Sequence, residues 1–213
     1  KSGNTATDTQ VVTVQDNTVP VISCPADVTV YLPLNSTATS MTVTYPAATA
    51  TDNCPGTIGI AYSQNSGTVF PVGPTTVTAT ATDAQGNQAS CQFTVTVLYN
   101  FTGFFQPVDN LPTFNEMKAG QAVPVKFSLS GNKGLNIFAV DSPNSVQINC
   151  TSGAPVADVE ETSTAGSSSL IYDASSDRYS YVWKTESGWK NTCRQLDVAL
   201  NDGSHHTALF KFK

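Results

Sequence analysis

The chain has 213 residues, a formal charge of −6 and a sequence pI near 4.6, and only 12% of its residues are charged. No run approaches the roughly 18 apolar residues of a membrane helix, and no basic cluster offers the phosphate-neutralising surface that sequence-independent nucleic-acid binding needs; membrane insertion and nucleic-acid binding are both excluded. The 29 threonines, set among so few charges, favour pleated strands over solvent-facing helices. Residues 1–100 hold 21 of those threonines with five acids and one cation, whereas residues 101–213 hold eleven acids, nine cations and both tryptophans. The change falls at Tyr99-Asn100-Phe101 and predicts two domains, 17–99 and 100–213.

In chain order, the first element is GNTATDTQVVTVQD, Gly3 to Asp16, which returns as GNQASCQFTVTVLY, Gly86 to Tyr99, with six identities in fourteen positions. The second copy closes the 17–99 domain, so residues 1–16 read as the last strand of a preceding domain, an orphan here. A lone strand is unstable in water. Either the rest of that domain has been removed, or the strand pairs with an open sheet edge of another copy of the chain. In the second case Val11, Val12 and Val14 supply the buried side chains.

From residue 17, short alternating runs with turn punctuation predict a β-sandwich. In Thr76 to Thr82 the residues Val77, Ala79 and Ala81 share one face and the threonines the other. Asp83-Ala84-Gln85-Gly86-Asn87 supplies turn chemistry, and on the next strand Cys91, Phe93, Val95 and Val97 share a face, which points Cys91 inward. The stretches VPVISCPADVTV from Val19, TATDNC from Thr49 and FPVGPTTVTATATDAQGNQASCQFTVTV from Phe70 resemble the HYR (hyalin repeat) family of extracellular immunoglobulin-like domains. The resemblance implies a Cys24–Cys91 disulfide. Family members often carry a second cysteine pair, but the segment LNSTATSMTVTY has no cysteine, which leaves Cys54 the odd thiol. Its turn-like surroundings, Thr51 to Gly56, leave two readings open: an inert buried thiol, which is favoured, or an intermolecular bridge.

Beyond residue 100, Tyr179-Ser180-Tyr181-Val182-Trp183 alternates after a turn at Asp173 to Asp177, and Ala208 to Phe212 alternates likewise. The motif Pro124-Val125-Lys126-Phe127, with YNFTGFFQPVDN from Tyr99, KAGQAVPVKFSL from Lys118, LIYDASSDRYSYVWKT from Leu170 and the closing TALFKFK, resembles the PxKF family of secreted or surface prokaryotic proteins. Spacing and that family pattern imply a Cys150–Cys193 disulfide closing a loop of some forty residues, which contributes about 3–4 kcal/mol. Cysteine use on this scale points to an oxidising compartment.

Each chemical constellation has a plainer reading beside it. Asp16, Asp52 and Asp83 are the calcium candidates, since linkers between sandwich domains bind the ion through clustered carboxylates, but Asp83 also simply satisfies a turn. No other cofactor is indicated. The sequence has no Gly-x-Ser-x-Gly elbow or His-Glu-x-x-His helix, so no catalytic residue is assigned. The pair His205-His206 alternates across a strand and does not offer one ion two ligands. Lys126 could form an intramolecular isopeptide bond with Asn201; a solvated strand lysine is the plainer reading. Tyr179, Tyr181, Trp183 and Trp189 could form a sugar platform, but their strand face is that of a core. Asn35, Asn100 and Asn149 stand in Asn-x-Ser/Thr acceptor patterns for glycosylation.

The expected architecture is all-β: two tandem immunoglobulin-like β-sandwich domains preceded by an orphan N-terminal β-strand. The expected protein is a non-catalytic structural or adhesion segment, secreted or at the cell surface, whose residues 1–16 complement a neighbouring copy to build a fibre. The partners are then copies of itself, with a cell-surface or polysaccharide ligand besides. The alternative is a spacer or carbohydrate-binding accessory region of a secreted hydrolase.

Overall fold

A computed structural model describes residues 3, 5–164 and 169–213; residues 1, 2 and 4 of the predicted N-terminal strand lie outside them. In chain order the strands of the first half are β1 (Val21–Ser23), β2 (Val28–Tyr31), β3 (Ser40–Val43), β4 (Thr49–Thr51), β5 (Gly59–Tyr62), β6 (Thr68–Pro71), β7 (Gly73–Thr82) and β8 (Gln88–Leu98). Those of the second half are β9 (Phe104–Phe105), β10 (Phe114–Met117), β11 (Ala122–Phe127), β12 (Asn144–Ile148), β13 (Pro155–Glu161), β14 (Ser163–Thr164), β15 (Ile171–Asp173), β16 (Arg178–Lys184), β17 (Cys193–Ala199) and β18 (His205–Phe212). The one helical element among the described residues is a 3-10 turn at Ser187–Trp189. The fold is all-β, as the alternation predicts.

The chain forms two compact units that interleave in sequence. The first comprises Lys1–Ala26, Pro46–Asn65 and Val77–Phe93, and the second Asp27–Tyr45, Ser66–Thr76 and Thr94–Lys213. In the first unit β1 pairs antiparallel with β4, and β5 pairs with β7 from Gly59↔Thr82 to Tyr62↔Ala79. Val77, Ala79 and Ala81 are wholly buried, while Thr78, Thr80 and Thr82 are partly exposed. This is the two-faced pattern read from the sequence.

In the second unit β2 runs parallel to β8, and β3 pairs antiparallel with β6. Two five-stranded sheets follow, one ordered β10-β18-β17-β12-β13 and the other β14-β16-β11-β9 with β15 also on β16. Their buried faces carry Val125, Phe127, Tyr179, Trp183 and Phe210. Trp183 packs edge-on against Phe210 and Phe212, which is the geometry that aromatic quadrupoles favour. Gly131 sits at φ 115°, and a Cβ there would fall 2.2 Å from the Ser36 carbonyl oxygen, so glycine is required for the two segments to pass.

Residues 5–20 carry no regular secondary structure. Val11, Val12 and Val14 are 85%, 73% and 88% exposed. The strand expected over residues 1–16 therefore has no sheet partner among the described residues.

Candidate metal centre

Three loops of the first unit bring together Asp16, ahead of β1, Asp52, just after β4, and Asp83, at the end of β7. Each offers one carboxylate oxygen, and these oxygens all lie within 4.8 Å of one another. Local hydrogen bonds set each side chain. Asp83 Oδ1 accepts the Gln85 and Asn87 backbone N–H groups at 2.9 and 2.8 Å, and its Oδ2 accepts Asn87 Nδ2 at 2.8 Å. That closes the predicted turn. Asn87 Nδ2 also donates to the Asp16 carbonyl at 3.2 Å, which holds the incoming segment against the turn. Asp16 Oδ1 accepts the Thr18 N–H at 2.9 Å, and Asp52 Oδ2 accepts the Cys54 N–H at 3.2 Å.

The other oxygens of two of these carboxylates are left over. Asp16 Oδ2 and Asp52 Oδ1 are buried and make no hydrogen bond. Among the described residues no lysine or arginine forms an ion pair with any of the three. Two like charges at this spacing repel by about 3 kcal/mol at an effective dielectric constant of about 20, and a buried unpaired charge is costly. A cation would relieve both. The donors are hard oxygens, which suit calcium or magnesium, and calcium's tolerance of irregular geometry suits three separate loops better.

Burial of Asp83 pushes its carboxyl up, but the hydrogen bonds from the Asn87 side chain and backbone, and from Gln85 and Gly86, outweigh this and hold it below the ordinary carboxylate range. Cys54 carries a free thiol beside the cluster. Its pKa is pushed up by burial and by the neighbouring carboxylates of Asp16, Asp52 and Asp83.

The remaining expected residues have the following placements. Cys24 and Cys91 form a disulfide with Cα atoms 5.8 Å apart, and Cys150 and Cys193 another at 5.2 Å. Asn35 and Asn149 are exposed and Asn100 is half-buried. Asn149 Oδ1 accepts the Thr151 and Ser152 N–H groups at 2.8 and 3.0 Å. The two histidines have separate partners, His205 with Asp197 at 2.7 Å and His206 with Ser204 at 3.0 Å. Asn201 Nδ2 donates to the Asn136 carbonyl and its Oδ1 accepts the Tyr99 hydroxyl, so its amide is engaged away from Lys126. Trp183 is fully buried, and Trp189 packs against Trp183 and Phe212 and under the Arg194 guanidinium.

The fold and its bridges define a class: an all-β, disulfide-bonded protein. Within it, residues 15–97 match the HYR domain family. The chain is 37% identical to Hyalin of Lytechinus variegatus over 99 residues, which is 46% of this chain and 19% of that one. To Hyalin of Strongylocentrotus purpuratus it is 32% identical over 139 residues, 64% of this chain and 11% of that one. To the Sushi, von Willebrand factor type A, EGF and pentraxin domain-containing protein 1 of Rattus norvegicus it is 35% identical over 101 residues, 46% of this chain and 3% of that one. The chain thus spans a fifth or less of these relatives. Among solved structures, extracellular domains 3–5 of Drosophila OTK align at TM-score 0.32 and 10% identity, over 88% of this chain and 58% of that one. The HYR domain and the two disulfides fit an extracellular or cell-surface setting, and no helix among the described residues is long and apolar enough to cross a membrane.

Proposed function

We propose that the chain is a non-catalytic segment of an adhesion-type protein, secreted or at the cell surface, in which a calcium ion held by Asp16, Asp52 and Asp83 locks the segment ahead of β1 onto the HYR domain. The observation that carries this reading is the convergence of three carboxylates with two buried, unpartnered oxygens. Bound to all three, the ion ties three chain segments together and replaces mutual repulsion by attraction. Released, it leaves Asp16 held by the Asn87 contact against the charge of its neighbours. Residues 100–213 then serve as a PxKF-type companion domain; the prokaryotic origin rests on that resemblance alone.

The test is calorimetric titration of the chain with calcium, with magnesium as the control. Extracellular calcium modules bind at roughly 10⁻⁴–10⁻³ M. At about 100 times Kd, binding adds about 2.7 kcal/mol, which raises Tm by roughly 5–10 °C for a chain of this size. Asp16→Asn and Asp52→Asn are expected to weaken binding at least about tenfold while leaving the calcium-free Tm equal or higher. Absence of heat and of any Tm change at calcium concentrations up to about 0.1 M would overturn the reading.

A second reading, that residues 1–16 add as a strand to a neighbouring copy, is favoured by the exposure of Val11, Val12 and Val14 in a segment that repeats the sequence around β8. Such head-to-tail pairing extends into fibres unless its rotation closes a ring. Light scattering on size-exclusion fractions decides it. The intact chain is expected to run as large elongated species and a form lacking residues 1–16 as a monomer; monomers in both samples sink strand exchange.

A further inference from the structure

A shallow cavity of about 390 Å³ lies on the outer face of the sheet formed by β9, β11, β16 and β15, lined by Lys126, Ile171, Asp173, Ser176, Arg178 and Ser180. Cross-strand register explains the grouping. Phe105, Lys126, Ser180 and Ile171 stand opposite one another in one row across the four strands, and Arg178 faces Asp173 in the next. Opposed residues share a face, so this face carries the polar set while Val125, Phe127, Tyr179 and Tyr181 point into the core.

Three features indicate a ligand. Neither cation forms an ion pair among the described residues, although the chain as a whole is acidic. The Arg178 guanidinium lies 4.2 Å from the Phe105 ring centroid, a stacking that fixes its plane, yet its Nε is buried without a hydrogen-bond partner. The volume falls within the range of small-ligand sites. Asp173 narrows the choice. Hydrogen bonds from Ser176 and Ser175 hold its carboxyl at about 2, so it stays ionised. It therefore repels a bare anion and favours one that also brings hydroxyl donors, which its remaining lone pairs can accept.

We propose that this cavity binds a carboxylate-bearing sugar unit of an acidic polysaccharide, with Arg178 and Lys126 on the carboxylate, Asp173 and the serine hydroxyls on the sugar hydroxyls, and Ile171 against the apolar ring face. The site is independent of the calcium centre. It also differs from the aromatic platform considered from the sequence, because Trp183 belongs to the core.

The test is binding of the full chain to oligogalacturonate by calorimetry, in EDTA so that calcium bridging contributes nothing. A neutral glucan oligosaccharide and inorganic sulfate serve as comparisons. Binding of oligogalacturonate alone, falling with added salt and weakened at least about tenfold in Lys126→Gln and Arg178→Gln, is the expected result. On the unmodified chain, the bound oligosaccharide should also slow acetylation of Lys126, which gives a readout if Arg178→Gln does not fold. Failure of oligogalacturonate to bind, equal binding of sulfate, or unchanged acetylation of Lys126 each overturns the proposal.

Discussion

Asp177 shows how much a single residue can organise. It sits at φ 52°, a left-handed position that aspartate tolerates better than most residues. From there its carboxylate accepts Tyr172 Oη at 2.7 Å, Ser128 Oγ at 2.8 Å and the Gly131 N–H at 3.0 Å. Burial pushes the Asp177 carboxyl up, but those hydrogen bonds and the charge of Lys133 outweigh it and hold it below the ordinary range. The same bond acts in reverse on its partner: the hydrogen bond to Asp177, then burial and nearby negative charge, push the Tyr172 phenol up to about 12. A folded-state pKa above the unfolded one contributes stability that is complete below pH 10 and is lost as pH rises through about 12. In Asp177→Asn the anion is gone, and Tyr172 is expected to titrate nearer 10. Phenolate absorbance followed through an alkaline titration checks this. Tyr99, pushed up to about 12 chiefly by its own burial, should remain late in both proteins. Nothing in the local sequence marked Asp177 for this part, because two of its three partners lie 49 and 46 residues away.

At the scale of elements, the edge strand β13 is fastened through a charge. Arg194 on β17, with a side chain 1% exposed, reaches past β12 to Glu160 on β13 at 2.7 Å, donates to Ser145 Oγ at 3.3 Å and lies 3.9 Å from the centroid of the Trp189 ring. Glu160 is half exposed. The two partners are therefore not equivalent. Glu160→Ala strands a buried guanidinium without its counter-charge and is expected to cost about 3 kcal/mol. Arg194→Met removes the charge, keeps most of the volume beside Trp189 and leaves a carboxylate free to be solvated, at a cost of about 1 kcal/mol or less. Urea midpoints at unchanged m-value measure both, and the reverse order would mean that packing rather than charge holds this strand. The strands themselves were legible in the alternation of β7, β8, β16 and β18. Their partners were not: the parallel pairings of β2 with β8 and of β10 with β18 depend on long-range register.

At the scale of the whole molecule, two disulfides close loops of 67 and 43 residues and restrict the unfolded chain by about 4 kcal/mol each in the chain-entropy account. The local sequence by itself determined that the chain is built of strands and suited to an oxidising compartment, because a period of two, turn residues and cysteine content are local properties. The sequence also named Asp16, Asp52 and Asp83 as calcium candidates, beside a plainer turn reading for Asp83. Only the tertiary structure placed their oxygens within 4.8 Å and left two of them buried without partners. It likewise decided that Lys126 shares a face with Arg178 instead of meeting Asn201, whose amide is taken by Asn136 and Tyr99. The physical reason is common to these cases. Which way a side chain points is written in the alternation of its own strand, whereas which side chains it meets is set by the register of strands distant in sequence.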